Sequence, residues 1–224
     1  MQIKTYTDLQ IKVLDKTPIA KDIWKTACDI TQKETNDLSG QEASKQLIEN
    51  LYTAQHHSIF EHASITFMAV GISRSLLAQV TRQRTFKFTS ASQHFQDYRD
   101  YPMVLRKGWD EDKVRALWYS KALDTALESY IRLIELGEPH AEARQVLPNA
   151  CAVNLIITAD PRNLMHFLNT RLCWRNTNEM LWFAREVKKA CVRWIPELFE
   201  LAKPFCENPP FTCNQGKMTC GRRD

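Results

Sequence analysis

Between Gln79 and His94 the chain reads Gln-Val-Thr-Arg-Gln-Arg-Thr-Phe-Lys-Phe-Thr-Ser-Ala-Ser-Gln-His. Arg82 and Arg84 stand one residue apart, and hydroxyl and amide side chains follow, ending in Ser90, Ser92, Gln93 and His94. Guanidinium groups beside short hydroxyls suit a bound phosphate, because arginine presents a fixed fork of charged donors and the hydroxyls fill the remaining lone pairs. No glycine or proline interrupts the stretch, so side chains rather than a glycine-rich loop must supply the donors. A solvated basic helix end reads equally well from these residues alone.

Other clusters fit reactive chemistry less well. His56, His57 and His62 gather around one turn with only Glu61 as an acidic neighbour, a set better suited to a cofactor contact or an ordinary loop than to a metal. Cys206, Cys213 and Cys220 recur at intervals of seven with no nearby histidine, which falls short of a four-ligand zinc site and suggests a reduced, semi-ordered tail. There is no Gly-x-Ser-x-Gly elbow, Walker A loop or Gly-x-Gly-x-x-Gly fingerprint, so a dinucleotide would have to be bound by something other than a Rossmann fold.

Local patterns indicate the elements that would position these residues. Residues 2–14 alternate loosely, as an edge strand with a turn would, and Pro18 opens a helix to about Lys33. After a turn cluster at Asn36–Gly40, a second helix is expected from Gln41 to about Gln55. Ala63 to Val70 alternates as a strand, and Ser73 can cap a helix running through Arg84, with Gln79 and Arg82 on one face. The phosphate candidate is therefore a helix end that passes into extended chain.

Asp97 to Gly108 reads as irregular. Asp110 to Leu136 is the longest helix, its two apolar stripes predicting burial on a broad front, and Gly137 and Pro139 end it. Residues 140–146 form a short helix carrying Arg144, and Ala150 to Thr158 a second strand. Asp160-Pro161 is a strong helix start, an acidic N-cap before proline at the first helical position. That helix sets Asn163, His166 and Thr170 on one side and Arg171 on the stripe of Leu164 and Phe167, where a partly buried guanidinium calls for an anionic partner. The steps from Met180 to Leu201 describe a last helix with a clean packing seam, kinked at Pro196.

Bulk properties set outer limits. With 224 residues, 44% of them hydrophobic, the chain can bury one sizeable core. A net charge of +4 permits an anionic small molecule but lacks the dense basic footprint of a nucleic-acid binder. Met1 to Leu14 has no signal-peptide core, and the longest nearly apolar run, Ala150 to Ala159, is too short to span a bilayer. Seven cysteines without a Cys-x-x-Cys pair argue for a reducing, cytoplasmic setting. One α+β domain over 1–203, followed by the cysteine-containing tail 204–224, is the economical reading.

Taken in order, the motifs resemble those of the flavin-dependent thymidylate synthase (ThyX) family. Arg82-Gln-Arg84, seven residues and Ser92 resemble its Arg-His-Arg-x(7)-Ser signature. Phe60-Glu61-His62, Ile72-Ser73-Arg74 and Gln79 resemble the approach to it, and Ala143-Arg144-Gln-Val-Leu147-Pro148 its Ala-Arg-x-x-Leu-Pro segment. Leu164-Met165-His166-Phe167-Leu168-Asn169 with Arg171 and Glu179 is similar to its C-terminal helix pair. The likeness spans roughly residues 57–185.

The resemblance implies helices packed around a small central antiparallel or mixed sheet, in a homotetramer whose FAD sites form between subunits. It implies an FAD-dependent methyltransferase that makes dTMP: dUMP is methylated at C5, with methylenetetrahydrofolate as carbon donor and NADPH reducing the flavin. Carried over residue by residue, Gln79, Arg82, Ser90, Ser92, Gln93, His94 and Arg144 would hold the nucleotide. Arg171 would be the catalytic group that stabilises charge developing on the uracil ring. Ser58, Arg82, Gln83, Arg84, Asp160, Arg162 and His166 would contact FAD, and no metal, nucleic acid or membrane is implied. Gln83 replaces the usual histidine, His94-Phe95 the usual Arg-Tyr, and Lys87 stands where serine is common. Histidine replaces an arginine's bidentate charge only in part. These departures carry an alternative, a paralogue that methylates or hydroxymethylates a different pyrimidine nucleotide.

Overall fold

The computed structural model describes residues 2–32, 43–208, 212–213 and 215–221. The expected turn cluster at 36–40, the helix end at Lys33 and the helix start at Gln41 lie outside them. The N-terminal alternation is split in two: β1 (Ile3–Thr5) and β2 (Gln10–Lys16) flank a 3-10 turn at Tyr6–Asp8. The Asp8 carboxylate accepts the Thr5 N–H at 2.7 Å, a local bond that competes with continuing the strand. Then come α1 (Ala20–Gln32) and α2 (Lys45–Thr53), the second capped by Ser44, whose hydroxyl accepts from the Leu47 N–H at 3.1 Å.

A 3-10 segment, His57–His62, leads into β3 (Ile65–Ser73), where Ile65, Phe67 and Ala69 are buried and alternate with half-buried Thr66 and Met68. Gly71 takes φ 75° within this strand, a conformation that suits a residue without Cβ, and its N–H donates to Asn154 Oδ1 at 3.0 Å. Ser73 caps α3 (Arg74–Val80). That helix ends at Val80, short of the expected Arg84, and the chain runs on into β4 (Lys87–Ser90). The remaining elements are β5 (Met103–Leu105), α4 (Lys113–Glu135), α5 (His140–Ala143), β6 (Ala152–Ala159), α6 (Pro161–Arg171), α7 (Asn178–Val192) and α8 (Pro196–Phe199). One sheet has the order β2-β3-β6-β4, and β1 pairs in parallel with β5, Ile3 opposite Met103. Helices with small sheets give the α+β class. Among the described residues no helix is long and apolar enough to cross a membrane.

The chain divides into two compact units. The first comprises Met1–Lys12, Met68–Arg82 and Phe88–Ile156. Its core gathers Tyr98, Met103, Leu123, Tyr130, Ala143 and Cys151. Here β5 corrects the irregular reading of 97–108: three residues after Pro102 are too few to show a period, yet all three are buried. A second correction concerns α4. Of its residues only Leu123 and Tyr130 are fully buried, while Val114, Leu117 and Trp118 are about two-thirds exposed, so its front is narrow rather than broad. Gly137, at φ 94°, ends it through bonds from its own N–H to Ile134 and from the Glu138 N–H to Leu133.

The second unit comprises Val13–Phe67, Gln83–Lys87 and Ile157–Asp224. The Trp24 ring meets Phe60 edge-on at 4.9 Å, and Phe167 packs between Phe86 (5.4 Å) and Phe183 (6.0 Å). Fully buried side chains of this size contribute about 1.5–3 kcal/mol each. The expected last helix is two helices. Its seam residues Met180, Ala184, Val187 and Cys191 are buried as the spacing requires, but α7 stops at Val192. Ile195, at φ −137° and ψ 83°, leaves the helical region, and Pro196 starts α8 at its first position instead of kinking a continuous helix.

Candidate functional site

The second unit contains a cavity of about 890 Å³. Small-molecule and cofactor sites typically occupy about 300–1,000 Å³, and this one lies near the upper end. Its walls come from α2 and the turn after it (Tyr52, Gln55), the 3-10 segment (His57, Phe60, Glu61), Gln83 and Thr85, α6 (Arg162, Asn163, Met165, His166, Asn169) and the segment after α8. The mixture joins cations, amides and rings with the Glu61 carboxylate and the apolar Met165 and Leu201.

The local folding of α6 explains much of this wall. The Asp160 carboxylate accepts the Asn163 N–H at 2.9 Å and the Asn163 side-chain amide at 2.7 Å. An N-cap of this kind contributes about 1 kcal/mol, and Pro161 pre-sets the first helical φ. With that start fixed, Leu164, Phe167 and Leu168 turn into the core while Arg162, Asn163 and His166 reach the cavity. Asn169 is buried at 4% exposure, so both ends of its amide need partners. It donates to the Tyr52 hydroxyl at 2.9 Å and accepts the Lys203 N–H at 3.2 Å, tying α6 to α2 and to the C-terminal segment. The Tyr52 ring stacks on His57 at 5.1 Å, and His57 Nε2 lies 3.0 Å from the Tyr52 carbonyl. Burial pushes the Tyr52 hydroxyl above its usual pKa, and the Asn169 bond offsets part of that shift, so the phenol stays protonated.

The residues expected to contact a cofactor divide. Gln83, Arg162 and His166 line the cavity; Gln83 donates to the Thr85 hydroxyl at 3.0 Å, and Arg162 forms an ion pair with Glu61. Asp160 acts as the α6 cap, and Ser58 and Arg84 are exposed residues of the same unit. Arg82 belongs to the first unit, as do Gln79, Ser90, Ser92, Gln93, His94 and Arg144. There the Ser92 hydroxyl accepts the His94 N–H at 3.2 Å, and Arg144 Nε donates to the Ala141 carbonyl at 2.9 Å. Behind Ser90–Ser92, the Arg74 guanidinium donates to the Ala91 carbonyl at 2.9 Å and to the Tyr98 hydroxyl at 2.7 Å.

Arg171, in the second unit, ends α6 half-buried as its stripe predicts. Its expected anionic partner is replaced by a neutral one: Nη1 donates to Asn176 Oδ1 at 3.3 Å. Among the described residues, Arg82, Arg144 and Arg171 have no carboxylate within ion-pair distance, in contrast to Arg99, Arg115, Arg132 and Arg162. The reading of the sequence missed Tyr52, Thr85, Asn163, Asn169, Lys203, Phe205 and Asn208 as cavity residues. Only Asn163 and Asn169 had a local signal, their spacing from His166 and Arg162 on one helix. Burial raises the Cys28 and Cys191 thiols and pushes Cys151 up to about 11, which makes all three poor nucleophiles. Among the described residues no group of three His, Cys, Asp or Glu side chains could hold a metal ion.

An α+β fold with a cofactor-sized cavity is what the structure presents, its lining joining the cations Arg162 and Lys203 to amides, rings, the Glu61 carboxylate and apolar side chains. The family model described as thymidylate synthase complementing protein (Thy1) matches residues 12–197, and the chain belongs to that family. It is 32% identical over 177 residues to the flavin-dependent thymidylate synthase of Geobacter sulfurreducens, covering 78% of this chain and 75% of that one. Its identity to the flavin-dependent thymidylate synthase of Clostridium tetani is 27% over 236 residues, 96% and 94% of the two chains. The fold is shared with the UMP/dUMP methylase PolB of Streptomyces cacaoi bound with 5-Br dUMP (TM-score 0.76, 21% identity, 89% of this chain and 96% of that one). It is also shared with ThyX of Helicobacter pylori complexed with FAD and dUMP (TM-score 0.71, 21% identity, 87% and 99%).

Proposed function

We propose that this protein is a flavin-dependent thymidylate synthase: it binds FAD and methylates dUMP at C5, taking the carbon from methylenetetrahydrofolate and the reducing power from NADPH. The observation that carries this reading is the 890 Å³ cavity lined by Gln83, Arg162 and His166, in a chain whose family match covers residues 12–197. The donor set fits FAD. Tyr52, Phe60 and Phe205 offer ring surface for a planar heteroaromatic group, and Asn163 and Gln83 offer amides for its polar edges. Arg162 and Lys203 offer charge for phosphates. The Arg162–Glu61 pair is about half exposed on both sides, and pairs of that kind are worth roughly 0–1 kcal/mol, so turning the guanidinium toward a phosphate costs little.

When bound, the flavin supplies the hydride that completes the methyl group. The chain's own side chains hold and polarise the nucleotide. Gln79, Arg82, Ser90, Ser92, Gln93, His94 and Arg144 bind it, its phosphate above all, and Arg171 stabilises the negative charge that develops on the uracil carbonyls. The lack of carboxylate partners at Arg82, Arg144 and Arg171 supports this reading, since an anion can bind without displacing an ion pair. No cysteine nucleophile is needed, in keeping with the raised thiols of Cys28, Cys151 and Cys191. Activity resides in a cytoplasmic homotetramer; the exposed Val114, Leu117 and Trp118 of α4 are the kind of apolar surface that a subunit contact covers.

The test is tritium release from C5-labelled dUMP with FAD, methylenetetrahydrofolate and NADPH present. Release with formation of dTMP is expected. A flavin-loaded protein that releases none refutes the assignment of substrate, and a protein that cannot be loaded with FAD refutes the assignment altogether. A second reading keeps FAD and changes the pyrimidine, motivated by the departures at Gln83, Lys87 and His94-Phe95. Release from UMP or dCMP in preference to dUMP would favour it.

A further inference from the structure

The segment after α8 lies beyond the family match at 197, yet Leu201, Lys203, Phe205 and Asn208 all line the cavity. It is held from several sides. Lys188 Nζ donates to the Ala202 carbonyl at 2.6 Å, the Lys203 N–H donates to Asn169 Oδ1 at 3.2 Å, and the Asn208 amide donates to the Lys203 carbonyl at 3.2 Å. Ala202 and Pro204 are buried, which fixes the backbone on both sides of Lys203. The segment is thus a built wall, and Lys203 and Phe205 are among the residues by which it lines the cavity.

Those side chains suit one class of ligand. The Phe205 ring stands edge-on to His166 at 5.5 Å, extending the aromatic lining formed by Tyr52, His57 and Phe60. Lys203 has no carboxylate within ion-pair distance among the described residues, whereas the cavity's other strong cation, Arg162, is paired with Glu61. A ring surface beside an uncompensated ammonium favours a planar heteroaromatic group that carries phosphate. We propose that Lys203 and Phe205 contact the bound flavin dinucleotide, so that the segment Leu201–Asn208 is part of the cofactor site; this rests on the reading of the cavity as the FAD site.

The experiment is titration of apo-protein with FAD, followed by quenching of flavin fluorescence, for wild type, Phe205→Ala and Lys203→Gln. Far-UV circular dichroism and melting temperature are recorded alongside. Removing the ring is expected to weaken FAD binding about tenfold, mainly through faster release. Lys203→Gln is expected to weaken it roughly fivefold at low salt, with the deficit shrinking as salt rises, because screening already reduces the lost attraction. If both folded variants bind FAD within twofold of wild type, the inference is overturned while the functional reading stands. If Phe205→Ala does not fold, Lys203→Gln decides alone by the same twofold criterion. Wild type that binds no FAD at all overturns both.

Discussion

Replacing Asn169 with alanine tests the joint that shapes the cavity. Two bonds vanish: the donation to the Tyr52 hydroxyl at 2.9 Å and the acceptance of the Lys203 N–H at 3.2 Å. Tyr52 lines the cavity and can turn its hydroxyl to water there, so its loss is a net hydrogen bond of about 1 kcal/mol. The Lys203 N–H lies between the buried Ala202 and Pro204, and leaving such a part-buried donor unsatisfied costs up to about 1–3 kcal/mol. The sum is about 2–4 kcal/mol. For a chain of this length each kcal/mol moves the melting temperature by about 2–4 °C, so a fall of roughly 5–15 °C is expected. The melt is followed by circular dichroism on ligand-free protein, since a bound ligand would add its own stabilisation. Tyr52→Phe and the double variant complete a cycle, whose expected coupling is about 1 kcal/mol for residues that share a bond. A melting temperature within 2 °C of wild type, or strict additivity in the cycle, would show that the Asn169 amide does not hold the three segments together.

Arg171→Ala is expected to lower kcat by about 10²–10³, the usual cost of removing one donor to a developing oxyanion, with flavin affinity kept within about threefold; wild-type turnover would refute the role. Thiol titration of the native protein at pH 8 should label Cys213, which is exposed, and leave Cys28, Cys151 and Cys191 unmodified until denaturant is added. Early labelling of Cys151, whose burial pushes it up to about 11, would contradict its packing. Lys188 offers a pH test. Burial is the main cause that holds its pKa below 10.5, partly offset by Glu200 and Glu207, so between that depressed folded value and 10.5 the unfolded chain binds more protons. Stability gained relative to Lys188→Met must therefore rise with pH across that window. A difference between the two melting temperatures that does not change from pH 7.5 to 10 would refute the sign.

Much of the local structure was legible because it depends on residues close in sequence. Asp160-Pro161 announces α6 through a cap and a fixed φ, and Ser73 announces α3 through a cap alone. The alternation in β3 and the seam of α7 follow from burial on one face. What escaped depends on distant partners. The three residues of β5 carry no period of their own and are strand only because β1 lies alongside. The apolar residues of α4 fall on helical stripes, but periodicity says which side chains share a face, not whether anything covers it; Trp118 is 65% exposed. Tyr52 reaches the cavity through a bond to Asn169 across 117 residues, and no local pattern encodes that. Lys203 ends the stretch read as the domain and Phe205 falls in the proline- and cysteine-bearing tail, and no local pattern announces the bonds from Lys188, Asn169 and Asn208 that hold this backbone.

The distribution of charge gives the residue assignments their physical sense. Three arginines outside the candidate sites, Arg99, Arg115 and Arg132, pair with Asp97, Asp112 and Glu135, whereas Arg74 and Arg175 bond neutral oxygens. Arg82 and Arg144 are exposed without carboxylate partners among the described residues, and Arg171 is half-buried against a neutral amide. For an exposed guanidinium that arrangement costs nothing, since water solvates it. For Arg171 it forgoes the Coulombic compensation that a buried charge usually requires. The lack is balanced if the site's function is to receive an anion, because a resident carboxylate would compete with the substrate and would neutralise the field that stabilises developing charge on the ring. Arg162, which has its carboxylate, is the exception that fits: its partner Glu61 is solvent-screened and can be exchanged for a phosphate at small cost. On the proposed reading Arg82, Arg144 and Arg171 stay open to the nucleotide's charge and Arg162 is held by a displaceable partner at the cavity, while Arg84, assigned to FAD, is exposed and has no carboxylate partner among the described residues.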